Sequence, residues 1–134
     1  QLIADLVGRG KLRLNGSKLE SVTYHDPCYL GRHNGILTEP RTALAKAGAK
    51  LLEMERSGKD SFCCGAGGAQ YWKEEEHGTE AVNANRFAEA QGTGATTLAV
   101  GCPFCATMMI DANREKGEPM QVKDVAQVVL EAMQ

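Results

Sequence analysis

Five cysteines in three widely separated groups constrain this chain more than any other feature: Cys28, then Cys63-Cys64-Gly65, then Cys102-Pro103-Phe104-Cys105. The intervals are 34 residues (29–62) and 37 residues (65–101). An odd number of cysteines cannot all pair as disulfides within one chain. Disulfide frameworks also belong to oxidising compartments, and no secretory signal or transit peptide is visible. In a reducing compartment, clustered thiols read first as metal ligands or redox groups. Composition narrows the field further. At 134 residues, 43% hydrophobic and 24% charged, the chain has the make-up of a globular protein with one core. A formal net charge of −2 supplies no electrostatic reason to bind nucleic acid or acidic lipid. No stretch reaches the roughly 20 apolar residues of a membrane helix.

Periodicity places the cysteines on a coarse secondary structure. Residues 2–7 have helical apolar spacing that stops at Gly8 and Gly10. Gly16-Ser17 reads as a turn, and Ser21 to His25 as a strand running through Asp26-Pro27 into a loop at Cys28. Gly31 to Gly35 is expected to be loop. Thr38 and Pro40 open a helix to about Lys46 that Gly48 closes. Ala49 to Met54 predicts a second strand, followed by a polar loop to Ser61. Residues 63–68 form an irregular turn, because three of the four residues from Gly65 are glycine. Helices are predicted over Ala69–Glu76 and Thr79–Gln91, the second with Ala84, Phe87, Ala88 and Gln91 on one face. Thr96 to Val100 is the clearest buried strand and runs directly into Cys102. A helix follows to about Lys116, with Pro103 in its first turn. Met120 to Val122 predicts a short strand. Asp124 to Met133 predicts a last helix whose Val125, Val128, Val129 and Ala132 share a face. Repetition of strand, loop and helix implies an α/β fold with a small parallel sheet flanked by helices. Sites in such sheets form beyond the carboxyl ends of the strands. Cys28 and Cys102 each follow a strand there, so the metal site is expected at that edge.

The chemistry of the set follows from its ligand type. Thiolates are soft, and four or more of them select zinc or an iron–sulfur cluster over hard cations. Zinc takes four ligands, which leaves one of Cys28, Cys63, Cys64, Cys102 and Cys105 without a role. Adjacent cysteines do not readily share one small ion, whereas the glycines after Cys64 let the backbone fold around something bulkier. Glycine turns and helix N-termini also expose N–H groups of the kind that cluster sulfides accept. The geometry suits a cluster better than a single ion. Two alternatives stay open: a structural zinc-binding module, and a C-x-x-C thiol–disulfide redox module built on Cys102 and Cys105.

The motif and its surroundings resemble a known family. Cys28…Cys63-Cys64-Gly65…Cys102-Pro103-x-Cys105, with Tyr24-His25-Asp26-Pro27-Cys28-Tyr29-Leu30-Gly31-Arg32 and Ser61-Phe62 before Cys63, is similar to the cysteine-rich CCG domain of heterodisulfide reductase and of related iron–sulfur proteins. The flanking residues look most like heterodisulfide reductase-related oxidoreductases linked to electron-transfer flavoprotein. The likeness runs from about Val22 to Gln134 and implies the following. Cys28, Cys63, Cys64, Cys102 and Cys105 bind one [4Fe–4S] cluster, in a noncubane form in heterodisulfide reductase. Electrons pass between a flavoprotein or ferredoxin-type iron–sulfur donor and a disulfide or quinone acceptor. Residues 1–134 form a single CCG domain. Since the chain opens at Gln1 and carries one such set of cysteines, it is expected to be an excerpt of a larger iron–sulfur protein. That parent is expected in the cytoplasm, or at the inner face of the membrane.

The remaining polar residues have two readings each. His25 tunes a potential or moves a proton, or is satisfied by a backbone carbonyl. Arg32 and His33 meet a redox partner or substrate, or are solvated. Residues 65–68 do not make a dinucleotide loop, since Gln70 stands where a third glycine is needed. Lys73 to Glu76 is a solvated helix end or a docking patch. Met108 and Met109 are expected in the core.

Overall fold

The computed structural model describes residues 1–15, 21–74 and 78–133. Four parallel strands form one sheet in the order β2-β1-β3-β4: β1 is Ser21–His25, β2 Lys50–Leu51, β3 Thr97–Val100 and β4 Gln121–Asp124. The central pair is in register from Val22↔Thr97 to His25↔Val100, so the two strands end level. Among the described residues there are five helices: α1 (Leu2–Gly8), which packs on α2, and α2 (Thr38–Lys46), α3 (Val82–Gly92), α4 (Pro103–Glu115) and α5 (Val125–Met133), which cover the sheet.

Side chains alternate across the strands and sort the core into two halves. Leu98 and Val100 join Phe87, Ala90, Met109 and Ala112 beneath α3 and α4. Val22, Tyr24 and Ala99 join Leu44, Ala47, Val128 and Ala132 beneath α2 and α5. Leu98, Ala99 and Val100 are fully buried, as strands covered on both faces must be. The α/β class, the parallel sheet and the predicted face of α5 are therefore as the sequence implies, and Met109 lies in the core with Met108 packed against it. Gly48, at φ 88, ends α2 as expected.

Other expectations fail for local reasons. Residues 29–33 form one π-helical turn, not a loop, tied by the Gly35 amide to Gly31 O and the Ile36 amide to Leu30 O. The second strand is only two residues long. The chain leaves the sheet where Glu53 reaches Arg41 and the Arg56 amide donates to Glu89. In place of a helix from Ala69 there is a 3-10 turn at Gln70–Trp72, because Ala69 sits in the left-handed region at φ 63. The turn at Gly16-Ser17 and the end of the 73–76 segment lie outside the described residues. On α3 the buried face is Asn83, Arg86, Phe87 and Ala90, while Ala88 is exposed. A buried arginine, invisible to a hydrophobic count, rotates that helix away from the predicted stripe.

The order of the strands also sets where a site can form. From β1 the chain departs to α2 on one face; from its neighbour β3 it departs to α4 on the other. Divergence of adjacent connections opens a crevice beyond the carboxyl ends of the two strands. Cys28 follows β1 and Cys102 follows β3.

Candidate metal centre

The loop after β1 is held by Asp26, which is 3% exposed. Its carboxylate accepts both terminal nitrogens of Arg41, at 2.7 and 2.8 Å, and the Gly58 amide at 2.8 Å. Arg41 in turn grips Glu53 at 2.6 and 2.9 Å. Burial acts to raise the Asp26 pKa, but the bonds from Arg41 and Gly58 outweigh it and hold the carboxyl below its ordinary range. The Asp26 carbonyl also accepts the Ser61 hydroxyl at 3.2 Å. One buried aspartate thus ties together the segments that carry Cys28 and Cys63. Pro27 follows, and Cys28 stands exposed at the head of the π turn.

The second segment is pinned just before its cysteines. Arg32 donates to Ser61 O at 2.5 Å, and the Arg56 guanidinium stacks 3.9 Å from the Phe62 ring centre. Arg32 is exposed, as the solvated reading has it, and its one hydrogen bond also braces the Ser61 carbonyl. His33 is exposed and stacks on Tyr29 at 5.2 Å. After Cys64 the chain turns at Gly65, φ 93, where a Cβ would come within 3.3 Å of Met108 Cε and Val82 Cβ. That turn aims backbone amides at sulfur. The Gly65 N–H donates to Cys63 Sγ at 3.3 Å, and the amides of Gly67 and Ala66 ease the thiolate forms of Cys63 and Cys64.

The third segment enters from β3 through Gly101, whose missing side chain matters: a Cβ would lie 3.1 Å from the Tyr24 hydroxyl. Cys102 is the N-cap of α4, and Pro103 occupies the first turn with its φ already set for a helix. Cys105, one turn in, is buried.

Cys28, Cys63, Cys64 and Cys105 line one cavity of about 30 Å³, together with His25, Asp26, Arg32 and Ser61. Cys102 is half-buried against the α3–α4 core and does not line it. A ring nitrogen of His25 and the sulfurs of Cys64 and Cys105 lie within 4.8 Å of one another. All five cysteines are free thiols. Hydrogen bonding to Cys64 and burial push Cys63 well above the ordinary thiol range. Hydrogen bonding to Cys105, with burial, pushes Cys64 up to about 11. A raised thiol pKa favours the protonated form, and a neighbouring positive charge would favour the thiolate. The Cys105 sulfur lies within 4.8 Å of that of Cys64, a cysteine of another segment.

Four further residues organise this site: Asp26 and Ser61, which the sequence offers only as part of the flanking resemblance, and Arg41 and Arg86, which it does not single out. Arg86 is fully buried beneath the cavity. It bonds His25 Nδ1 at 3.0 Å, Ser61 Oγ at 3.2 Å, and Glu89 and Arg56 O at 2.9 Å. Its pairing with Glu89 at i,i+3 is the one hint the sequence offers. His25, 1% exposed, therefore has a guanidinium partner where a backbone carbonyl was one expectation. Burial, then the charge of Arg86, press its pKa down to about 3.

A doubly covered parallel sheet with thiols from three separate connections gathered at its switch point defines a cysteine-clustered α/β domain. The chain belongs to the CCG family of cysteine-rich domains, whose model matches residues 22–110. It is 40% identical over 99% of its length to a protein named probable iron-sulfur-binding oxidoreductase FadF from Bacillus subtilis (strain 168), covering 19% of that protein. It is 38% identical over its whole length to the EtfAB:quinone oxidoreductase of Syntrophomonas wolfei, covering 20%. It is 35% identical over 99% of its length to one subunit of the dihydromethanophenazine:CoB–CoM heterodisulfide reductase of Methanosarcina barkeri, covering 32%. The chain thus spans a fifth to a third of the length of these relatives. Among the described residues no helix is long and apolar enough to cross a membrane.

Proposed function

We propose that this chain is an electron-transfer domain that holds an iron–sulfur centre on Cys28, Cys63, Cys64, Cys102 and Cys105, within a larger oxidoreductase of the heterodisulfide reductase type. The observation that carries this reading is the convergence of four cysteines from three segments on one cavity at the switch point. Thiolate donors and amides aimed at sulfur suit such a centre. The names of the similar proteins support it: an iron-sulfur-binding oxidoreductase, an EtfAB:quinone oxidoreductase and a component of heterodisulfide reductase. The centre is a [4Fe–4S] cluster, noncubane if all five thiolates bind it. The space between the sulfurs is that of one ion and Cys102 does not line it, so a cluster on all five requires Cys28 and Cys63 to stand outward and Cys102 to turn toward the cavity.

When bound, such a group supplies one-electron storage. The chain's own part is to fix the sulfurs, to donate the Gly65, Gly67 and Ala66 amides that set the potential, and to keep Cys64 and Cys105 out of water. Partners are a flavoprotein or ferredoxin-type domain as donor and a disulfide or quinone as acceptor. The parent protein would work in the cytoplasm or at the inner face of the membrane.

Structural zinc is the second reading, favoured by the ion-sized cavity and the His25–Cys64–Cys105 group. Protein purified without oxygen separates the two. About four irons and matching sulfide per chain, with thiolate–iron charge-transfer absorption that Cys64→Ser abolishes, support the cluster. Stoichiometric zinc without iron or sulfide moves the redox chemistry elsewhere in the parent protein.

A further inference from the structure

His25 is grouped with Cys64 and Cys105 as closely as a metal ligand would be, yet its bond to Arg86 points to a different task. The Arg86 Nε–H donates to His25 Nδ1 at 3.0 Å. A guanidinium has only donors, so Nδ1 must be the accepting nitrogen. The ring is 1% exposed, and a nitrogen that accepts from a guanidinium carries no hydrogen of its own, so the ring is neutral. A neutral imidazole carries one hydrogen, and here it belongs on Nε2. Arg86 cannot turn away easily. Three of its four other N–H groups are engaged by Glu89, by the Arg56 carbonyl and by Ser61 Oγ. Glu89 is itself fixed, accepting the Arg56 amide at 2.6 Å and its Nε at 3.0 Å.

Ligation by His25 would therefore break a buried contact whichever nitrogen it used. Through Nδ1 it would displace Arg86. Through Nε2 it would move the hydrogen to Nδ1 and set two N–H groups head-on in a water-free site. Donation from Nε2 breaks nothing, and a ring nitrogen of His25 lies within 4.8 Å of the Cys64 and Cys105 sulfurs.

Resting on the metal-centre reading above, we propose that Arg86 is a positioning residue that locks His25 as an Nε2–H donor to the sulfur of the centre held by Cys64 and Cys105, and that His25 is not a ligand. A hydrogen bond to sulfur favours the reduced, more negative state, so this donor raises the midpoint potential.

Two measurements on protein labelled with nitrogen-15 histidine test it. In the metal-free protein, long-range proton–nitrogen NMR should find His25 neutral with hydrogen on Nε2 at pH 7. Arg86→Lys should convert it to a tautomer mixture while the other amide signals keep their folded dispersion. A wild-type ring charged, or protonated on Nδ1, overturns the lock. In the iron-loaded, reduced protein, pulsed EPR should show weak histidine nitrogen coupling and a proton that exchanges in D₂O. Strong nitrogen coupling makes His25 a ligand and overturns the donor role. Substitutions read the consequence. His25→Leu should lower the midpoint potential, and His25→Gln, whose amide nitrogen can stand near Nε2, should restore much of the loss. Equal potentials in wild type and His25→Leu defeat the proposal. Failure of the protein to take up any iron refutes the centre itself, while the NMR result still decides the Arg86–His25 lock.

Discussion

At the scale of single residues, the site depends on charges buried for position. Asp26 holds Arg41 and the Gly58 amide through its carboxylate and Ser61 through its backbone carbonyl, so losing the carboxylate frees Arg41 and Gly58 while the Ser61 bond remains. Asp26→Asn leaves Arg41 half-buried with Glu53 as its sole carboxylate, and should cost about 3 kcal/mol in urea unfolding. Gly65 is equally particular. With φ 93 and Met108 and Val82 at 3.3 Å from a notional Cβ, Gly65→Ala should cost about 2 kcal/mol and lower metal content per chain. The cysteines themselves were legible from their spacing, since no other residue type binds soft metals so well. The residues that hold them were not. An aspartate before Pro27 or an arginine in a helix looks the same in sequence whether it is solvated or buried.

Among the elements, α3 marks where hydrophobic pattern misleads. A stripe of Ala84, Phe87, Ala88 and Gln91 is a reasonable helical face, yet the helix packs through Asn83, Arg86, Phe87 and Ala90. Arg86 reaches under β1 to His25, and this contact outweighs the apolar moment of two alanines. The two faces predict opposite mutant behaviour. Phe87→Ala should destabilise by about 4 kcal/mol, since the ring is fully buried, and Ala90→Leu by about 2 kcal/mol through overpacking. Ala88→Glu, on the exposed side, should stay within about 0.5 kcal/mol. Chemical denaturation of the three variants distinguishes the faces. α5 was legible because nothing polar is buried on it, and α4 because its start is marked. In α5 four buried positions follow one stripe, and in α4 Cys102-Pro103 fixes the start. The π turn after Cys28 was not, because its bonds are set by where Asp26 and Gly58 hold its ends.

For the whole molecule, the Glu89 knot couples the 56–62 segment to α3, and its pH response has a definite sign. Burial acts to raise the Glu89 pKa, but the Arg56 amide and the Arg86 guanidinium outweigh it and hold the carboxyl below its ordinary 4.5. A depressed carboxyl contributes stability that is complete above the unfolded value and is lost as pH falls through the folded one. The stability gap between wild type and Glu89→Gln should therefore be full at pH 7 and shrink below about pH 4.5. Urea midpoints measured for both proteins from pH 7 to pH 3 check this; a gap that widens on acidification contradicts it. Sheet order acts at the same scale. With β1 beside β3 and their connections diverging, Cys28 and Cys105 face one crevice although most of the chain's length separates them.

From the sequence alone came the α/β class, the cysteines proposed as ligands and the edge of the sheet where four of them gather. Each rests on local information: residue type, spacing, and the period of apolar positions. Only the tertiary structure decided that Cys102 stands apart from the cavity lined by the other four, that Arg32 is a brace, and that Arg86 sits buried against His25. Those outcomes depend on which distant segments meet. A buried charge is tolerated only where its partners have already been brought to it, and no single stretch of the chain records that meeting.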